Sequence, residues 1–228
     1  MWKTSEAADA AVFQAVPGDI KIDVPGMHRV SEGVYTKGEV DENGNIIYYT
    51  ADNQYVVSGN DYQVLGHENP DWTMGFKNTF TYKNFDLSIY LYWRWGQTIS
   101  YDLIGTYDPT VATNFPTYFD FWTSDTGNQN HYFPALNSTK TLSQYLGYYA
   151  LSYVDGSFFK IKNITLGYTL PQKWAKSIGI ENLRVYTTIT NPLVVQKSKL
   201  LKNYDPEMGG SLDYPLTKQF VFGVNLTF

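Results

Sequence analysis

Two eleven-residue stretches, Trp72–Tyr82 and Phe85–Trp95, alternate apolar with polar side chains and are separated only by Lys83 and Asn84. Successive side chains of a strand point to opposite faces. Trp72, Met74, Phe76, Asn78, Phe80 and Tyr82 therefore share one face, against Thr73, Gly75, Lys77, Thr79 and Thr81. Phe85, Leu87, Ile89, Leu91, Trp93 and Trp95 alternate in the same way against Asp86, Ser88, Tyr90, Tyr92 and Arg94. A two-residue hairpin loop at Lys83-Asn84 puts Trp72 opposite Trp95, Met74 opposite Trp93, Phe76 opposite Leu91 and Phe80 opposite Leu87. Every apolar residue then meets an apolar partner, apart from Ile89 opposite Asn78. A tilted strand needs about 9–11 residues to cross a bilayer. Trp72, Trp93 and Trp95 at one end, with Tyr82 and Phe85 at the other, are placed as two aromatic girdles around an apolar band. A buried sandwich core would more often carry Val and Ile at those ends.

The last stretch, Lys218 to Phe228, repeats the pattern. Phe220, Phe222, Val224, Leu226 and Phe228 form one face, and Gln219, Val221, Gly223, Asn225 and Thr227 the other. A soluble sandwich can show such alternation; an unbroken apolar face opposite a small, polar one suits a strand between lipid and an aqueous lumen better. Two further strands are expected at 158–170, with Ile164, Leu166, Tyr168 and Leu170 on one face, and at 183–190, with Leu183, Val185, Thr187 and Ile189. A short amphipathic connector, Pro171–Gly179, lies between them. Residues 1–16 suit a short helix capped by Thr4 or Ser5. Asp41-Glu42-Asn43-Gly44 and Ser58-Gly59-Asn60-Asp61 read as turns. Residues 96–156 and 191–215 read as long polar loops, the first well beyond the roughly 12–15 residues of ordinary connections.

Composition narrows the function. The 228 residues carry a net charge of -5, which speaks against a nucleic-acid partner. Charged residues are 17%, below the roughly 25% of an average soluble domain, and aromatics are 17%, so apolar bulk is carried by rings that tolerate a wet edge. With no cysteine, disulfide scaffolds, thiol nucleophiles and zinc-thiolate sites are excluded. No run of 18 apolar residues is present to form a membrane helix, which leaves a barrel open. Met1 to Asp9 lacks an apolar signal-peptide core, so the chain is expected to be cytoplasmic or a piece of something longer.

Candidate chemistry is sparse. Asp41, Asn43, Asn45 and Asp52 superficially resemble a calcium loop, but Ile46 replaces the sixth-position Gly and Asp the final Glu; a hairpin turn is the expectation. His28, His67 and His131 lack metal spacing. Asp102, Asp108, Asp120 and Asp125 lie in a loop with no strand to fix a carboxylate pair. No catalytic residue, metal or cofactor is expected. Tyr101, Tyr107, Tyr118, Phe119, Phe121, Trp122 and Tyr132 cluster among amides and carboxylates, with Tyr107, Tyr118, Phe119 and Trp122 as candidates for stacking on a sugar or peptide. Packing of the loop against its neighbours explains the same rings.

Several blocks resemble the late barrel of SusC/RagA-type TonB-dependent outer-membrane transporters of Bacteroidetes. They are Gly66-x-x-Asn69-Pro70-x-Trp72, Tyr82 to Ser88, Gly156 to Pro171, Leu183 to Tyr186, Asn191-Pro192-Leu193, Asp205-Pro206-Glu207, Tyr214-Pro215 and Phe222 to Phe228. They follow the family's order over most of residues 61–228, and Pro17 to Lys21 matches an earlier family segment. Asp23-Val24-Pro25-Gly26 departs from the usual continuation, and an added hairpin runs through 30–57.

The resemblance implies an all-β chain: about five carboxy-terminal antiparallel strands (72–82, 85–95, 158–170, 183–190, 218–228) of a family barrel of about 22. Five strands leave two edges that a bilayer cannot satisfy, so the chain is expected to be the carboxy-terminal quarter or so of a transporter. Residues 1–71, 96–156 and 192–216 would be extracellular loops, and the Lys83-Asn84 turn and connector periplasmic. The implied function is uptake of oligosaccharides or peptides across the outer membrane. The implied partners are a SusD-like surface lipoprotein, the TonB system, the barrel-assembly machinery and outer-membrane lipid. Phe220, Phe222, Val224, Leu226 and Phe228 resemble the signal read by that machinery. The alternative is a soluble carbohydrate-binding β-sandwich.

Overall fold

The computed structural model describes residues 1–106, 114–136 and 147–228. The chain divides into two compact units, Met1–Leu65 with Asp102–Tyr153, and Gly66–Tyr101 with Val154–Phe228.

In the first unit a 3-10 turn at Thr4–Glu6 leads into α1 (Ala7–Val12). The cap is Lys3, not Thr4 or Ser5: its backbone N–H donates to Glu6 Oε2 at 3.0 Å, so the acid three residues on satisfies the free amide. α1 buries Ala10 and Val12 in a core with Trp2, Phe13, Val24 and Tyr55. β1 (His28–Ser31) and β2 (Val34–Thr36) form a hairpin that isolated bridges extend through Tyr35–Tyr49 and Val40–Ile46. The expected turn at Asp41–Gly44 closes the second arm, between Val40 and Ile46. Asp41 Oδ1 accepts from the amides of Asn43 and Asn45 at 2.9 and 2.8 Å, which commits that carboxylate to closing the loop. Ser58–Asp61 is also a turn, a 3-10 one. Asp61 gathers Lys37 Nζ at 2.7 Å, Tyr55 Oη at 2.6 Å and the Ser58 amide at 2.8 Å.

The second unit is built on one antiparallel sheet. β3 (Trp72–Tyr82) and β4 (Phe85–Trp95) come first, then β5 (Thr98–Ser100), α2 (Asp102–Thr106, in the first unit) and β6 (Tyr153–Asp155). β7 (Phe158–Thr169), α3 (Gln172–Ser177), β8 (Asn182–Gln196) and β9 (Gln219–Thr227) complete the order. The sheet order is β3-β4-β7-β8-β9, and β5 pairs with β6 inside what reads from sequence as irregular loop. The β3–β4 register is the expected one, from Trp72 opposite Trp95 through Asn78 opposite Ile89 to Tyr82 opposite Phe85. Lys83 takes a φ of 53° to make the tight turn.

One face of the sheet is apolar across all five strands. Ile89 pairs with Ile164, Ile164 with Ile189, and Ile189 with Phe220. That face is open: Phe222 is 81% exposed and Phe220 68%. A sandwich would bury these rings against a second sheet. Trp72 stacks on Trp95 at 6.2 Å and Trp93 meets Phe159 at 4.8 Å, while Phe85 meets Tyr168 at 4.7 Å toward the other end. Rings thus gather at both ends of the aliphatic band.

β8 is longer than its sequence suggests. It runs to Gln196 through Asn191-Pro192-Leu193, which reads as the start of the 192–216 loop. The register shifts between Ile161 and Asn163, where Lys162 faces the extra residue, and Asn191 has φ 53°. Proline has no N–H for a ladder, and a bulge is where a strand tolerates that loss.

Candidate functional site

The other face of the sheet is polar, and one ion pair bridges its strands. Arg184 on β8 donates to Asp86 on β4 through Nε at 2.9 Å and Nη2 at 2.5 Å. Gly167 on β7 lies between them, opposite Asp86 on β4 and Tyr186 on β8. A Cβ at Gly167 would come within 2.4 Å of both Arg184 Nη2 and Asp86 Oδ1, so the bridge requires a residue without a side chain. The two outermost strands use glycine in a related way. Tyr90 covers Gly75 of β3 and Tyr186 covers Gly223 of β9, each ring lying where a Cβ would be.

Farther along this face the 197–218 loop folds back onto β7. Lys160, whose side chain is fully buried, donates to Asp205 at 2.5 Å and Glu207 at 2.8 Å. Lys162 pairs with the other oxygen of Glu207 and lies 4.5 Å from the Tyr92 ring centre. Asp205 caps the 3-10 turn at Pro206–Met208 by accepting from the Glu207 amide at 3.1 Å. Burial opposes ionisation of Glu207, but its bonds to Lys160 and Lys162 outweigh that and hold its pKa below the ordinary carboxylate value. Tyr204 braces the same loop: it accepts from the Gly210 amide, donates to Ser211 O and packs on Tyr101 at 4.8 Å. Gly210 lies so close to Ser100 O that a Cβ would fall 1.8 Å away. Between loop and sheet remains a cleft of about 470 Å³, bordered by Asn191, Gln196, Asn203, Asp205 and Lys218.

The aromatic loop belongs to the first unit. Phe119 is buried and stacks on buried Phe133 at 4.2 Å. Tyr118 is half-buried and meets Phe119 edge-on at 5.4 Å. Trp122, also half-buried, donates from Nε1 to Gly127 O at 3.2 Å and rests against Gly18, where φ is +92° and a Cβ would clash with the ring. Tyr107 lies outside the described residues. His131 fastens the loop by two ring contacts, Nδ1 to Asp120 Oδ1 at 2.9 Å and Nε2 to Thr126 O at 3.0 Å. Tyr101 is not part of this group; it is buried beside Tyr204 in the other unit.

Tyr118 and Phe119 thus touch, with Phe119 inward, while Trp122 packs on Gly18. Phe220, Phe222, Val224, Leu226 and Phe228 are all exposed. Lys160, Asp205 and Glu207 went unrecognised in the sequence as a site. Their signal was present: a Lys on the polar side of an alternating strand, and an Asp-Pro-Glu cap in the following loop. Among the described residues no group of three or more potential metal ligands comes together. The arrangement suits recognition through rings, amides and paired charges.

A five-stranded antiparallel sheet with a ring-bordered, exposed apolar face and a polar face under a folded loop is the wall of an outer-membrane β-barrel. The chain belongs, more narrowly, to the SusC/RagA type of TonB-dependent receptors. It is 30% identical over 199 residues to the TonB-dependent receptor SusC of Bacteroides thetaiotaomicron, covering 82% of this chain and 18% of that protein. It is 25% identical over 213 residues to TonB-dependent receptor P3 of Formosa agariphila, covering 86% of this chain and 20% of the relative. Among solved structures it is similar to the RagAB peptide importer in its closed-closed state, with a TM-score of 0.59 and 26% identity over 86% of this chain and 21% of that one. No family model matches. The chain spans about a fifth of the length of the curated relatives it matches.

Proposed function

We propose that this chain supplies barrel wall and substrate-mouth loops to a TonB-dependent importer of oligosaccharides or peptides in the outer membrane. The observation that carries the proposal is the two-faced sheet: apolar and ring-bordered outside, polar and charge-paired inside, with the 197–218 loop fastened to the inner face. The relatives support it, since they are TonB-dependent receptors and a peptide importer. Residues 1–71, 96–156 and the loop after β8 then face the cell exterior, and the Lys83-Asn84 turn and α3 face the periplasm. A SusD-like lipoprotein covers the mouth and the TonB system supplies energy. The chain itself performs no bond chemistry. Tyr118 and Trp122, with Tyr107, are the rings offered to substrate, and Phe119 holds Tyr118 from behind. Phe220, Phe222, Val224, Leu226 and Phe228 serve barrel assembly.

The test is uptake. Cells lacking the gene are given a casein-peptide pool or a mixed plant-oligosaccharide pool, and depletion of the medium is followed by mass spectrometry. One pool should be spared, complementation should restore uptake, a protonophore should abolish it, and a surface lipoprotein should co-purify with the tagged protein. Unchanged depletion of both pools would remove the proposal.

A further inference from the structure

The connector between β7 and β8 carries an apolar pair that wall-building does not use. Residues four apart return to nearly the same side of a helix, so Trp174 and Ile178 share a face at the end of α3. They are 61% and 62% exposed, while Ala175 beside them is buried. Lys173 and Lys176 lie on another sector and are exposed. Exposed Lys83 stands on the hairpin turn at the same end, its ammonium 5.3 Å from the Tyr82 ring centre. The two turns are joined: Asn84 Nδ2 donates to Thr169 O at 2.7 Å and the Thr169 amide to Asn84 O at 2.8 Å. Against these three cations the connector carries one acid, Glu181.

A six-residue helix is far below the roughly 12–15 residues that are even marginally stable alone. Here it is started by the Trp174 and Ala175 amides bonding to Pro171 O and held by Ala175. That support holds the exposed Trp and Ile in place. Tyr82, Phe85 and Tyr168 close the apolar face of the sheet at the same end.

We propose that α3 is an interfacial anchor that binds the head groups of anionic phospholipids. Trp174 and Ile178 enter the boundary between head groups and acyl chains, where an amphipathic indole is favoured. Lys83, Lys173 and Lys176 meet the phosphates, each strengthening attraction to an anionic surface roughly fivefold. The proposal rests on the barrel-wall reading.

The test uses nitroxide labels on Trp174→Cys and, as a reference in the middle of β4, on Ile89→Cys; the chain has no cysteine of its own. The protein is prepared in its native form from outer membranes and placed in phosphatidylcholine vesicles with or without phosphatidylglycerol. Collisions with oxygen and with a water-soluble nickel complex report depth. The expected result is a depth at position 174 between water and the Ile89→Cys value, increased by phosphatidylglycerol. The pair Lys173→Glu and Lys176→Glu should abolish that increase. Free collision with nickel at 174, while the β4 label stays in hydrocarbon, overturns the anchor and leaves the wall intact. Shielding at 174 from both collision partners means that protein covers α3, and also overturns it. A β4 label in water removes the wall reading and the anchor together.

Discussion

Arg184 and Asp86 hold each other across two strand spacings, over the backbone of Gly167, with contacts of 2.9 and 2.5 Å. Adjacent strands lie about 4.8 Å apart, so the pair staples β4, β7 and β8 as one unit. A bidentate Arg–carboxylate pair adds direction as well as energy. Gly167→Ala should therefore be more damaging than its size suggests, because the methyl displaces both charged groups. We expect a loss of about 1–3 kcal/mol in urea unfolding for Gly167→Ala, by overpacking, and a similar loss for Arg184→Gln. Their combination should cost clearly less than the sum, since both remove one bridge. Strict additivity would contradict this.

Lys160 is the second staple, between β7 and the 197–218 loop. Removing one member of a buried ion pair leaves the others uncompensated, at a cost of about 3 kcal/mol or more. Lys160→Met should release the loop, visible as faster hydrogen exchange in residues 199–212, while exchange in β3 and β4 stays unchanged. Exchange that rises evenly across the sheet would contradict a local clamp.

The same clamp sets a pH dependence. A carboxyl whose folded pKa lies below its unfolded value stabilises fully above the unfolded value and loses that contribution as pH falls through the folded one. Glu207 is such a group, its burial outweighed by Lys160 and Lys162. The loop should therefore stay protected through the ordinary Glu range near 4.3 and open only in stronger acid. Hydrogen exchange corrected for intrinsic rate, followed from pH 6 downward, gives the midpoint. Glu207→Gln should abolish the transition.

His131 predicts the opposite sign in the aromatic loop. Both ring nitrogens face acceptors, Asp120 Oδ1 and Thr126 O, and only an imidazolium donates from both. Burial pulls its pKa down, but the bonds to Thr126 and Asp120 outweigh that. A raised folded pKa stabilises fully below the unfolded value, about 6.5, and that contribution is lost as pH rises through the folded one. Chymotryptic cleavage among Tyr118, Phe119, Phe121 and Trp122, normalised to a reference substrate, should accelerate on raising the pH from 6 to 9. Asp120→Asn should move that acceleration to lower pH. An unchanged midpoint would contradict the pairing.

The β3–β4 register was legible because two strict alternations and a two-residue loop leave one pairing that satisfies both. The sequence alone ends β8 too early because Asn191-Pro192 carries a breaker's chemistry; only a neighbour with its own irregularity at Lys162 accommodates it, and that is a property of two strands. Lys160 and Asp205 are 45 residues apart, so nothing local joins them. The ring-rich loop stood out by composition, but composition does not say that Phe119 turns inward while Tyr101 packs elsewhere. Period and turn length are local signals, whereas charge pairing and ring burial are decided by the fold.

As barrel wall, β4 turns its Leu87–Ile89–Leu91 side to lipid and its Ser88–Tyr90–Tyr92 side to water. A single-cysteine scan from Leu87 to Tyr92, in the native protein in outer membranes, with a membrane-impermeant maleimide tests it most directly. The expected result is alternation, with reaction at 88, 90 and 92 and protection at 87, 89 and 91. Uniform reactivity along the strand, or alternation of the opposite phase, would contradict it.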